Sequence, residues 1–137
     1  MGNQQILLII LGMIIVGIAV TVAIILVNEN AVTSDKDAIA ADLLNLSVKA
    51  QQFYNTPASM AGGGRSYIGL TANAAGMLKL VSVEFSHNGN GDYAIRTAGT
   101  SAQIILEGIG NVEMSDGTFP TLSCVVRPGN ATVLIEN

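Results

Sequence analysis

The first 28 residues of the chain contain no charged side chain, and within them Ile6–Val27 form 22 consecutive residues that are apolar or small, apart from Thr21. A helix rises about 1.5 Å per residue, so about 20 such residues cross the hydrocarbon core of a bilayer. Water is a poor solvent for this run, which must lie in lipid or against other apolar helices. One end of the chain is therefore predicted to be a long apolar helix.

The residues on either side of this run favour a retained helix over a cleaved signal peptide. The flank Met1–Gln5 has no basic residue, and Asn28–Asn30 offers no small-residue cleavage motif. Two hypotheses remain open. The helix is either an ordinary single-pass anchor or a segment that leaves lipid to pack against copies of itself. Small residues such as Gly12 and Gly17 allow the close approach that the second hypothesis needs.

Helical patterning resumes after Asn30 and continues almost to Pro57, which ends it. The apolar residues recur at alternating spacings of four and three, as on one face of a helix: Ile39, Leu43, Leu46, Ala50 and Phe53. The polar residues are assigned to the other faces: Asp35, Lys36, Asp42, Lys49 and Gln52. Ser34 and Asp35 offer an alternative cap for a separate second helix. The preferred prediction is one helix from about residue 3 to 55, with its second half packed on a domain.

The remainder of the chain predicts that domain. Residues 56–76 are read as a flexible glycine-rich connector, and the Gly62–Arg65 run within them lacks the pattern of a phosphate-binding loop. Short apolar segments bounded by turn residues then predict strands: Leu78–Ser86, Tyr93–Ala98, Ala102–Leu106, Leu122–Arg127 and Thr132–Glu136. The predicted class is α+β, with a long N-terminal helix packed on a small antiparallel sheet. Residues 1–30 form the apolar half-helix, and 31–137 form a head of helix (31–55), connector (56–76) and sheet (77–137).

Charge and residue content disfavour several function classes. The chain contains six Lys and Arg residues and ten Asp and Glu residues, so its net charge is -4. This excess of acidic residues argues against nucleic-acid binding. The single Cys124 and single His87 cannot supply the ligands of a structural zinc site. Cys124 is predicted to be a buried, inert thiol, and His87 is predicted to lie in a surface turn. Glu107, Glu113 and Asp116 are read as a solvated face. We therefore expect no enzyme activity, no cofactor and no metal, with a small anchored enzyme as the least favoured hypothesis.

An uncharged apolar N-terminus, a helix with an amphipathic second half, a glycine-rich connector and a small antiparallel sheet together resemble the type IV pilin-like proteins, in a divergent bacterial branch or, second, among archaeal pilins. In that family a leader peptidase exposes a new N-terminus, which is methylated, and the apolar helices bundle into a filament core. If Met1 is the mature first residue, Gln5 stands where bacterial pilins usually carry a glutamate. If Met1 is the initiator, either there is no leader or cleavage after Gly2 leaves Asn3 first.

The resemblance implies a structural subunit of an extracellular helical filament on the cell surface, drawn from a single-pass pool in the inner membrane. The implied partners are identical subunits, the pilus assembly machinery and the prepilin peptidase. The residues implied in the filament core are Gln5, Ile6, Leu7, Leu8, Ile9, Ile10, Leu11, Gly12, Ile14, Ile15, Gly17 and Val20. The alternatives are a secretion-system pseudopilin and a monomeric, membrane-anchored binding domain.

Overall fold

The first element of the computed structural model, which describes residues 2–137, is a single uninterrupted helix, α1 (Gly2–Asn55). Its 54 residues extend for about 80 Å. The helix passes through the polar step at residues 28–30 without a break, so the prediction of one long helix is confirmed and the separate second helix is excluded. A short 3-10 turn (Ala58–Met60) and two one-turn helices, α2 (Ala74–Met77) and α3 (Val83–Ser86), follow.

Five strands form one antiparallel sheet in the order β1-β2-β3-β4-β5, so each strand pairs with its neighbours in sequence. The strands are β1 (His87–Asn88), β2 (Gly91–Thr97), β3 (Ile104–Gly110), β4 (Thr121–Arg127) and β5 (Asn130–Ile135). The predicted turn at Pro128–Gly129 joins the last two strands, and Arg127 pairs with Asn130 across it. The α+β class and the antiparallel sheet are therefore confirmed.

The predicted strand Leu78–Ser86 is wrong, because this segment forms helical turns. Asn73 caps α2 by accepting a hydrogen bond from the amide of Gly76 at 2.9 Å. Turn hydrogen bonds then continue through the segment, from Val81 to Met77 and from Ser86 to Ser82. The sheet consequently begins at His87 rather than near residue 77. The third predicted strand is also displaced, since it runs from Ile104 to Gly110.

The core lies between the second half of α1 and one face of the sheet. Ile39, Leu43, Leu46 and Ala50 are completely buried, as the four-and-three spacing predicted, and Phe53 is partly buried. They meet the alternate residues that β2, β3 and β4 direct to the same side: Tyr93, Ile95, Ile104, Leu106, Leu122, Cys124 and Val126.

The helix approaches β3 closely where that strand carries glycine. A Cβ atom added at Gly108 would lie 2.6 Å from Cγ2 of Ile39, closer than real Cβ atoms approach a neighbour. At Gly110 an added Cβ would collide with the carboxylate of Asp35. Glycine at these two positions therefore allows the short distance between α1 and the sheet at the end of the core that is nearest to the exposed half of the helix.

Candidate functional site: an exposed apolar helix on a fixed head

Half of α1 has no contact with the head that would bury it. Residues 2–31 are all exposed, and Asp35 is the first buried residue of the helix. We call residues 6–27 the apolar handle. By length and composition α1 is able to cross a membrane, and none of its most apolar window of 18 residues is buried. Such a helix is able to anchor the chain in a bilayer.

The structure places every predicted filament-core residue on this exposed part of the helix. Exposure runs from 50 % at Ile10 to 67 % at Leu7 among the large side chains of the predicted set. Cβ atoms added at Gly12 and Gly17 meet nothing within 4 Å in the described chain. Met1, the predicted processed N-terminus, lies outside the described residues. A role of these residues in assembly stays a prediction.

The polar groups of the handle are satisfied inside the helix. The hydroxyl of Thr21 donates to the carbonyl of Gly17 at 2.9 Å, and beyond the handle Thr33 bonds in the same way to Glu29. A helix also satisfies its own backbone groups apart from those at its ends. The handle can therefore enter lipid or pack against another apolar helix without stranding a polar group in its middle.

A buried carboxylate fixes the helix to the sheet where the handle ends. Asp35 is 9 % exposed, and its Oδ2 accepts a hydrogen bond from the amide of Val112 at 3.1 Å. This bond holds the β3–β4 loop, residues 111–120, against the helix. The sequence prediction that placed Asp35 on another face was wrong, because Asp35 lies four residues before Ile39 on the buried face.

A second carboxylate binds the β1–β2 turn to the helix. Oδ2 of Asp42 accepts hydrogen bonds from the hydroxyl of Tyr93 at 2.7 Å and from the side-chain amides of Asn88 and Asn90 at 3.0 Å each. Burial alone would raise the pKa of Asp42, but the three hydrogen bonds outweigh burial and hold this pKa below its ordinary value. Asp42 was also assigned to a face away from the head, which the structure corrects.

The glycine-rich run caps the C-terminal end of α1. The amides of Gly63, Gly64 and Arg65 donate to the carbonyls of Phe53, Thr56 and Tyr54 at 2.8–3.0 Å. These bonds satisfy carbonyls that a helix end leaves without partners. The sequence predicted a flexible connector here and did not predict these capping bonds. Since its amides are already committed to the helix end, the run is also not a phosphate cradle.

The side chains considered for chemistry are not brought together. His87 is 66 % exposed and its Nδ1 lies 2.7 Å from a carboxylate oxygen of Asp92. Cys124 is fully buried, and burial raises the pKa of its thiol to about 11, so it stays protonated at neutral pH. Both predicted settings, a surface His and a buried thiol, are confirmed.

Two of the three carboxylates considered as a cluster, Glu107 and Asp116, bond to other groups. Glu107 pairs with Arg96 at 3.5 Å, while Asp116 accepts two hydrogen bonds from Thr118 within its own turn. Residues 2–137 contain no group of three or more His, Cys, Asp or Glu side chains able to hold a metal ion.

An open groove lies between the C-terminal end of the handle and the β3–β4 loop. It has a volume of about 770 Å³ and is lined by Ile24 and Ile25 on the handle side and by Met114 and Ser115 on the loop. The groove could not be predicted from the sequence, because the apolar residues of the β3–β4 loop, Val112, Met114 and Phe119, follow no regular spacing.

Comparison of the chain with protein families, with curated proteins and with solved structures found no match.

Proposed function

We propose that this chain is the structural subunit of an extracellular type IV pilin-like filament, in which the apolar handles of many copies form the core. The observation that supports the proposal most is a division within one helix. The second half of α1 is completely buried at the core positions, while the first half is apolar on all sides and none of its most apolar window is buried. The head thus leaves the handle free for another partner.

Identical handles are the partner that suits this surface. Once the filament has left the membrane, exposing one fully buried Leu or Ile side chain to water would cost about 1.5–3 kcal/mol. The handle contains twelve such residues, so this term would hold the handles together against the cost of association, which is on the order of 4–15 kcal/mol. The same helix serves first as a single-pass anchor in the inner membrane and then as the polymer core. Stacking of identical copies in one direction is a heterologous, open-ended contact.

The proposal includes the partners that the resemblance implies. They are the other subunits, the assembly machinery that extracts the helix from the membrane, and the leader peptidase if a leader is removed. The second candidate is a monomeric membrane-anchored domain or a pseudopilin, and exposure of the handle supports it as well, since lipid covers an apolar helix as effectively as another helix does.

The test compares sheared cell-surface material from cells that carry the wild-type chain or Leu8→Lys. Electron microscopy detects filaments, and mass spectrometry of the N-terminal peptide detects the chain, leader removal and methylation. The wild type should give filaments. Leu8→Lys should abolish them, because an unpaired ammonium buried in the core costs several kcal/mol. A lysine this close to the helix end can reach the membrane surface with its amine, so membrane retention should persist.

Ile68→Lys is the matched control. Ile68 is 65 % exposed and Leu8 is 66 % exposed, but Ile68 lies on the head. The control variant should form filaments at the wild-type level. Polymerisation of Leu8→Lys at that level would refute the helical core, and the absence of filaments from wild-type cells would refute the proposed function.

A further inference from the structure

The basic residues of the head are gathered at one end. Residues 43–83 contain three basic side chains and no acidic one. The amide of Arg65 donates to the carbonyl of Tyr54 at 2.8 Å, and the side chain of Gln51 donates to the carbonyl of Arg127 at 3.0 Å. Two lysines line one cleft of about 250 Å³ beside the same helix turns. We call this surface the basic end: Lys49, Arg65, Lys79 and Arg127, all exposed.

Acidic residues are gathered at the opposite end, next to the handle. Residues 29–42 contain four acidic side chains and one basic side chain, and the β3–β4 loop adds two acidic residues and no basic one. The hydrogen bond between Asp35 and Val112 holds this loop beside the helix. We call this surface the acidic end: Glu29, Asp37, Glu113 and Asp116, all exposed.

The two ends do not neutralise each other within one copy. Asp37 and Lys49 are separated by 12 helix residues, or about 18 Å. The Debye length at physiological ionic strength is about 8 Å, so the interaction between exposed charges this far apart is largely screened. Arg96, the basic residue that lies between the ends on the sheet, is already paired with Glu107 and Glu136.

We infer that the basic end of one head docks against the acidic end of the head of the next copy along the filament. This inference rests on the proposed function and names the head surfaces that accompany the handle contact. A parallel copy shifted by about 18 Å along α1 brings Asp37 level with Lys49 of its neighbour. The contact is head-to-tail, so it repeats without closing. The handles supply most of the affinity, and the charged ends select the axial register of neighbouring heads.

Charge reversal tests the inference in the full chain. One triple variant makes the basic end net negative, Lys49→Glu with Arg65→Glu and Arg127→Glu, and a second makes the acidic end net positive, Glu29→Lys with Asp37→Lys and Glu113→Lys. Each triple variant gives the two ends the same sign of charge and should reduce sheared filament, relative to membrane-bound chain, by about tenfold or more. The combined variant gives the two ends opposite net charges again and should return to within about twofold of the wild type. Co-expression of the two triple variants should also restore filaments, because their copies can alternate.

Two further measurements decide between explanations. Glu84→Lys reverses an exposed charge outside both ends and should leave the filament yield unchanged. Protease resistance of the membrane-bound chain establishes that each variant folds. Triple variants that assemble as the wild type does would overturn the inference alone, as would a combined variant no better than either triple variant. Absence of filaments from wild-type cells would overturn the proposed function, and this inference with it.

Discussion

Two buried tyrosine hydroxyls in the head have opposite surroundings. The hydroxyl of Tyr67 is buried and has no hydrogen-bond partner among residues 2–137, and burial raises its pKa to about 12. The hydroxyl of Tyr93 donates to Asp42 at 2.7 Å. Removing a buried hydroxyl that lacks a partner is neutral or stabilising, whereas removing a donor from a carboxylate costs about 1.5–3 kcal/mol.

We therefore expect Tyr67→Phe to change the free energy of unfolding by no more than about 0.5 kcal/mol or to raise it, and Tyr93→Phe to lower it by about 1.5–3 kcal/mol. Urea unfolding of the full chain in detergent, followed by circular dichroism, measures both. The two variants remove the same atom from the same residue type, so each controls for the other. Equal losses would show that Tyr67 also bonds through its hydroxyl.

We expect Asp42 to make the free energy of unfolding of the head depend on pH. Because the pKa of Asp42 is lower in the folded chain than in the unfolded chain, its ionised form stabilises the fold. The contribution is fully present above the unfolded pKa of about 3.9 and is lost as the pH falls through the lower, folded pKa. Asp42→Asn should cost about 1–3 kcal/mol at pH 7 and progressively less below pH 4.

The measurement is the urea midpoint of the wild type and of Asp42→Asn at several pH values between 7 and 2. Asp37→Asn is the matched control, because Asp37 lies on the same helix but is exposed. This control should follow the wild-type curve closely. A loss at pH 7 that persists unchanged at pH 2 would contradict a role for the ionised carboxylate.

Two carboxylates bonded to the head, Asp35 and Asp42, were not predicted correctly from the sequence. An aspartate is usually solvated, so a charged residue beside an apolar stripe is assigned to an outer face. Asp35 and Asp42 point inward because loop amides and side-chain donors far along the chain satisfy them. Those partners lie 77 and 46 residues away in sequence. A spacing rule within one helix has no information about them.

At the scale of elements, the glycines of the handle separate a packed filament core from a lipid anchor. Gly17→Leu adds a side chain that meets nothing within the described chain and makes membrane insertion more favourable. In a filament, the same side chain would lie between two neighbouring helices, and close approach of two helices requires a small residue at the contact. We expect Gly17→Leu to remain in the membrane at the wild-type level and to reduce sheared filament severalfold, because overpacking costs about 1–3 kcal/mol.

Membrane fractionation and quantification of sheared filament give the two readouts. Ile18→Leu is the matched control, since it exchanges isomeric side chains next to Gly17 and should change neither. Wild-type filaments from Gly17→Leu would exclude tight helix packing at this position. They would favour the anchor hypothesis for the handle.

Long periodic elements were predictable from sequence, whereas short ones were not. The 54-residue helix and its buried stripe followed from a repeat that extends over many turns. Leu78–Ser86 was misread because its apolar residues alternate much as in a strand, although the cap at Asn73 starts a helical turn that the chain continues. The capping role of the glycine run was not predicted, because its composition does not indicate the helix carbonyls that its amides bond to. In each case a tertiary or capping contact outweighed local pattern.

The whole molecule divides within one helix rather than between two elements. Exposure is continuous to Ala31, and burial begins at Asp35. Composition averaged over the chain suggests a membrane protein, yet the apolar excess belongs to the handle, and the head has its own core of helix and sheet. The handle therefore contributes no buried side chain to the core of its own molecule.

This division makes a prediction for the head alone. A fragment of residues 29–137 keeps every residue of the buried core, and Glu29 then lies in the first turn of the shortened helix, where an acidic side chain interacts favourably with the helix dipole. Its free energy of unfolding should match that of the full chain in detergent to within about 0.5 kcal/mol. Sedimentation should show a monomer without detergent, because exposed ion pairs contribute only about 0–1 kcal/mol each and do not hold two heads together without the handles. A fragment that forms stable oligomers would place the main assembly contact in the head, and a fragment that fails to fold would show that the handle stabilises the core.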